Sequence, residues 1–166
     1  MAIISDIVVR QPVRDDLVGR EFTVTGIGSG FEGTIGLRLL NRNGRVLAEG
    51  SAQSSGGMAA VGEFSTRLSV SHPPRPGTRL TLQAFGDSPG PGPQPGTDLR
   101  EVEVVMYPDL HGFLLYRVDR GDTLTGIARM ARDFGRTTVP QIVAANPRIT
   151  DPDVIKVGWK LRVPLS

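Results

Sequence analysis

The spacing of apolar residues changes once along this chain, at Tyr107 and Pro108, and that change constrains what it can fold into more than any other feature. Over residues 22–106 apolar side chains alternate with polar or small ones. The runs are Phe22 and Val24; Ile35, Leu37 and Leu39; Phe64, Leu68 and Val70; Leu80, Leu82 and Ala84; and Val102, Val104 and Met106. Successive side chains of a strand point to opposite faces, so a period of two specifies strands with one buried face. Asn43-Gly44 separates two of these runs and reads as a hairpin turn, because both residues tolerate positive φ. Regularly spaced strands with no helical stretch between them predict an antiparallel sandwich.

Past Pro108 the spacing becomes three and four. Leu124, Ile127, Ala128, Ala131 and Phe134 mark one face of an amphipathic helix, with Asp122 placed to cap its start and Gly135 to end it. A second, shorter helix begins at Thr138, whose three-residue spacing to Gln141 is a capping box. It buries Ile142, Val143 and Ala145 and stops at Asn146-Pro147. Strand-like segments at 114–118 and 160–163 flank the pair, giving the order β-α-α-β. Leu115 or Tyr116, with Val118, Leu161 and Val163, would then face the helices. So small a unit must use nearly all of these side chains for its core.

Composition agrees with turns and short strands: 21 glycines, 13 prolines and few aromatics. With no cysteine there is neither a disulfide framework nor a thiolate metal site, and packed cores must supply the stability. No apolar run approaches the roughly 18 residues of a membrane helix, so membrane insertion is not expected. Residues 1–11 lack the basic flank and apolar stretch of a signal peptide. The expected location is the cell envelope or outside the cell if a leader has been cleaved from a longer precursor, and the cytoplasm if Met1 is the native start. Two loops, 54–62 and the Pro/Gly-rich 86–96, are expected to be mobile.

Charge is unevenly placed. Residues 1–109 carry ten Arg/Lys against twelve Asp/Glu, and residues 110–166 carry nine against five. A basic C-terminal part suits an anionic polymer, or simply a solvated face. Nucleic-acid binding would rest on this excess alone and is not expected.

Catalysis needs a nucleophile with its base, paired carboxylates in a cleft, or a metal cluster. The two histidines, His72 before Pro73-Pro74 and His111 in a linker, read as exposed structural residues. Glu101 and Glu103 share a strand face toward solvent, and Asp15-Asp16 reads as a turn. Gly26, Gly28 and Gly30 do not open a helix, so they form no phosphate loop. No catalytic residue, metal ligand or cofactor is expected, and the chain reads as a non-enzyme.

Residues Tyr116, Val118, Gly121, Asp122, Thr123, Leu124, Ile127 and Ala128, then Phe134-Gly135, Ile142-Val143, Asn146, and Ile155, Gly158, Leu161, Val163 and Pro164, resemble the LysM family over its whole length. A GDTL-type loop, an Asn ending the second helix and an IxxGxxLxVP close stand in that family's order. One departure falls at Lys156, Val157, Gly158 and Trp159, where Pro-Gly-Gln is usual. The N-terminal part, with Ile7, Val9, Phe22, Val24, Gly26, Phe31, Ile35, Leu37, Leu39, Gly44, Leu47, Gly50 and Phe64, is similar to the Gmad2 immunoglobulin-like domain of sporulation and germination proteins. The resemblances imply a two-domain chain: an all-β immunoglobulin-like sandwich over 1–108, a linker over 109–113, and a small α+β LysM (βααβ) domain over 114–166.

What the LysM resemblance implies is a shallow groove for N-acetylglucosamine units of peptidoglycan or a chitin-like oligomer. Gly121, Asp122, Thr123, Leu124 and Thr125 would form one wall, and Asn146, Pro147, Ile149, Asp153 and Ile155 the other. Loop amides and carbonyls would pair with the acetamido group, while Leu124, Ile149 or Ile155 receives its methyl. Structural roles compete for three of these residues: Asp122 as a helix cap, Leu124 as core, and Asn146 as a helix terminator. A few hydrogen bonds at about 1 kcal/mol each and one buried methyl give on the order of −4 to −6 kcal/mol, or millimolar to tens-of-micromolar affinity. The sandwich would then be a spacer or a protein-interaction module. The competing expectation is an assembly protein of a phage-tail-like or spore-coat complex in which both domains dock protein partners.

Overall fold

The computed structural model describes residues 6–58, 60–88, 91 and 95–166. Among the described residues eight strands come first: β1 (Val8–Gln11), β2 (Asp16–Val18), β3 (Glu21–Gly28), β4 (Thr34–Leu40), β5 (Val46–Gln53), β6 (Gly62–Ser69), β7 (Thr78–Asp87) and β8 (Pro95–Met106), with a 3-10 turn at Phe31–Gly33. They form a three-stranded sheet in the order β1-β3-β6 and a five-stranded sheet in the order β2-β8-β7-β4-β5. The chain passes from the first sheet to the second in the turn before Asp16, whose carboxylate accepts from the Val13 amide at 2.8 Å.

Alternation decides which faces meet. On β4, Ile35, Leu37 and Leu39 are fully buried, and the antiparallel register sets Leu37 opposite Ala84 and Leu39 opposite Leu82 of β7. Val24, Phe64, Leu68 and Leu80 complete this core of an immunoglobulin-like sandwich. The hairpin joining β4 to β5 turns at Asn41–Gly44. The Asn41 side-chain oxygen accepts from the amides of Asn43 and Arg45, and Gly44 sits at φ 75°, a conformation an L side chain rarely adopts.

Phe85 breaks the alternation. It follows Ala84 and so lies on the other face, yet it is fully buried. Gly36 makes the room, since a Cβ there would stand 2.2 Å from the Phe85 ring, and the Arg38 guanidinium lies 5.5 Å from the ring centroid. Arg38 is itself paired with Glu49 at 3.2 Å.

The Pro/Gly-rich loop is shorter than its composition suggests, because β7 runs to Asp87 and β8 starts at Pro95. Most of the proline-rich stretch, and Ala59 in the other loop, lie outside the described residues, as do residues 1–5. After β5 the backbone turns at residues 55–58, where the Gly57 amide donates to Ser54 O at 3.1 Å.

The C-terminal elements are β9 (Gly112–Arg117), α1 (Leu124–Ala131), α2 (Val139–Ala145) and β10 (Lys160–Leu165). The order is the expected β-α-α-β. β9 and β10 form an antiparallel pair, Lys160 opposite Arg117 and Leu165 opposite Gly112. Val118, Leu124, Ile127, Ala128, Ala131, Ile142, Ile149, Leu161 and Val163 make one buried cluster, with Tyr116, Val143, Ile155 and Trp159 packed against it. Of the two inward candidates on β9, Tyr116 takes the place, and Leu115 is 72% exposed. By compactness the chain divides into one unit made of the segments up to Asp16, Glu21–Pro73 and Arg79–Val104, and another made of Leu17–Arg20, Pro74–Thr78 and Val105–Ser166. No helix among the described residues is long and apolar enough to cross a membrane.

Candidate functional site

Two loops of the β-α-α-β unit border α1 and α2, and each is held by polar side chains before any ligand is considered. The first follows β9. Here the Asp119 amide and the Tyr116 hydroxyl both donate to the Asp122 carboxylate, at 2.7 and 2.9 Å, and the Asp122 amide donates back to Asp119 O at 3.2 Å. Gly121 supplies the positive φ, 91°, that closes this turn. Donation to Asp122, then burial, then the negative charges of Asp122 and Asp119 raise the Tyr116 pKa above its ordinary value.

Because its carboxylate is spent on that turn, Asp122 does not cap α1. The cap is Thr123, extended at φ −130° and ψ 153°, whose hydroxyl oxygen accepts from the Gly126 amide at 3.1 Å. Thr123 O also takes the Ile127 amide at 2.9 Å, so the amides of Leu124 and Thr125 open the helix without an intrahelical acceptor. The far end of α1 is corrected as well. The helix stops at Ala131, and from Arg132 to Phe134 amides reach back three residues, as Phe134 does to Ala131 O at 2.9 Å. Phe134 therefore lies beyond the helix and is 64% exposed. Gly135 is not a left-handed stop. Its value is close approach, since a Cβ there would stand 3.1 Å from that of Leu165.

The second loop follows α2. That helix begins as expected, with the reciprocal Thr138–Gln141 capping box. Its end is fixed by Asn146, which is buried and uses its amide on three internal bonds. Nδ2 donates to Ile142 O and to Arg162 O, each at 2.7 Å, and Oδ1 accepts from the Arg162 amide at 2.8 Å. Beyond it, the Ile149 amide donates to Asn146 O at 2.9 Å, and the Asp153 amide to the Asp151 carboxylate at 2.9 Å.

The ten residues named for the two walls thus fall into three groups. Leu124 and Ile149 share the buried cluster, which brings the loops together, and Asn146 is buried among its own partners. Asp122 and Ile155 are half-buried. Gly121, Thr123, Thr125, Pro147 and Asp153 are exposed. A site built on this frame offers backbone groups, two hydroxyls and one accessible branched alkyl group, which can hold an uncharged amide-bearing sugar by hydrogen bonds and one methyl contact. Two features escaped sequence reasoning: the Tyr116–Asp122 bond, and Arg148 stacked 5.1 Å from the Trp159 ring centroid.

Elsewhere, an open concavity of about 520 Å³ is lined by Val9, Pro12, Val13, Thr81, Glu101 and Glu103, among others. Its carboxylates are engaged on the surface, Glu103 with Arg14 at 3.2 Å and Glu101 with Gln83 at 2.8 Å. Among the described residues no group of three or more His, Cys, Asp or Glu could hold a metal ion.

Comparison with known families gives two matches. A family model described as the immunoglobulin-like domain of bacterial spore germination, Gmad2, matches residues 6–92, and the LysM domain model matches residues 116–164. No curated protein matches the chain.

Proposed function

Because the chain belongs to the Gmad2 family of immunoglobulin-like domains and closes with a LysM domain, a non-catalytic module that binds N-acetylglucosamine glycan, we propose that it is a cell-envelope glycan binder. Its ligand is an N-acetylglucosamine polymer, peptidoglycan before chitin-like chains, and its site is the groove between residues 121–125 and 146–155. The observation that carries the reading is the packing of Leu124 and Ile149 in one cluster, which anchors the two loops side by side. Within the groove, Ile155 receives the acetamido methyl, and the unpaired amides of Leu124 and Thr125 with the Thr125 hydroxyl bind the sugar. Asp122 and Asn146 shape the walls. Gly121, Thr123, Pro147 and Asp153 form the exposed rim. The sandwich serves as a spacer or binds a protein partner, and weak binding by one groove is made useful by repeated engagement along a polymer.

The test is co-sedimentation of the full chain and an Ile155→Asp variant with purified peptidoglycan sacculi at low and high salt. The reading expects wild-type retention that survives high salt and is lost in the variant. Retention that disappears with salt would mean charge attraction by the basic unit. No retention at all would favour the second reading, an assembly protein that docks protein partners. That reading draws support from Phe113 and Leu115, large apolar side chains exposed on the outer face of β9.

A further inference from the structure

Trp159, where the chain departs from the usual LysM close, touches both loops. Its carbonyl accepts from the Val118 amide at 2.8 Å, and the Gly158 amide donates to Val118 O at 2.8 Å. Val118 immediately precedes the Asp119–Asp122 turn, so this pairing anchors the first loop. The Trp159 ring packs against the buried cluster, and the guanidinium of Arg148, from the second loop, covers it at 5.1 Å. Arg148 makes no ion pair among the described residues, so the ring face is its principal contact.

We propose that the Arg148–Trp159 stack is a strut that holds the second loop at a fixed distance from the first, making both residues positioning residues for the glycan. The inference rests on the groove reading above and adds what sets the groove's affinity. A site made of two loops binds only in the fraction of molecules that hold both loops in the competent spacing, and apparent affinity falls with that fraction. A cation over an indole face at an exposed site is strong enough to shift such a population severalfold. Lysine retains the charge but not the planar stacking surface, so it should serve partly.

The experiment uses the full chain and its Arg148→Gln and Arg148→Lys variants. Calorimetric titration with a purified N-acetylglucosamine oligomer is combined with residue-resolved amide hydrogen exchange. The strut predicts that Arg148→Gln weakens binding by about two- to fivefold, with Arg148→Lys between it and wild type. Amide exchange should quicken in both variants at residues 119–125 and 147–155 together, leaving the interiors of α1 and α2 unchanged. Unchanged affinity with unchanged exchange would overturn the proposal. So would an affinity loss with unchanged exchange, since Arg148 would then be touching sugar directly. If the wild type binds no oligomer the groove reading itself fails, and faster exchange confined to the second loop, or absent, would separately overturn the strut.

Discussion

In the sandwich, Leu37 and Leu39 of β4 meet Ala84 and Leu82 of β7 along an uninterrupted antiparallel ladder, and all four are buried. In the C-terminal unit two short strands, two helices of eight and seven residues and the loops beside them share a cluster of nine buried side chains, and a polar residue, Asn146, ties α2 to β10 with three hydrogen bonds. The larger unit is held by repeated apolar rows, in which losing one member leaves the others in place. The smaller has too little apolar surface for that and relies on a few individual bonds. Its tolerance of substitution should therefore be lowest at polar positions, the reverse of the sandwich.

The sharpest way to break this contrast is Asn146→Ala. It strips the partner from the Arg162 amide and from two carbonyls in a buried setting, and should cost about 3 to 5 kcal/mol. Urea denaturation should show the loss as a lowered midpoint for the small unit. A cost near 1 kcal/mol would mean that water replaces the amide. On the other side, Leu37→Ala should cost about 3 kcal/mol by leaving a cavity, while glycan retention by the folded protein stays unchanged. If retention fell with the sandwich intact, the two regions would be coupled in function. Thr123→Ala removes the α1 cap and should cost about 1 kcal/mol, visible as a small drop in thermal midpoint.

The smallest effect is titration of Tyr116. Its pKa is raised in the folded state, so the contribution of its bond to Asp122 is fully present below the ordinary tyrosine value of about 10 and is lost as pH rises through the higher folded value. Stability of the small unit should fall along that alkaline limb, and Tyr116→Phe should flatten the fall. An unaltered limb in the variant would assign the loss to other groups.

These contrasts also explain what was legible in the sequence. Alternation placed Leu37, Leu82 and Leu68 in a core, and short-range patterns placed the Asn43-Gly44 turn and the Thr138–Gln141 box, because in each case the deciding partners are neighbours or the period itself. Asp122 read as a cap because capping is also local, but Tyr116, six residues away on β9, holds its carboxylate for the preceding turn. Phe134 fitted a helical stripe whose end the periodicity cannot mark. The burial of Phe85 required Gly36 and Arg38 from a neighbouring strand. For the proposed site, the sequence pattern named two loops. Which members are occupied by the fold itself became visible only through their partners, as for Asn146 with Arg162 sixteen residues later.

Trp159 is the chain's single tryptophan, and it stands in the small unit at the junction of two loops, partly shielded and beside a cation. Indole emission from the native protein therefore reports on this unit alone, whereas far-ultraviolet dichroism is dominated by the strands of the other. An unfolding curve followed by the two signals is a built-in test of cooperativity: coincident transitions mean that the units melt as one, and separated transitions give each unit its own stability without cutting the chain.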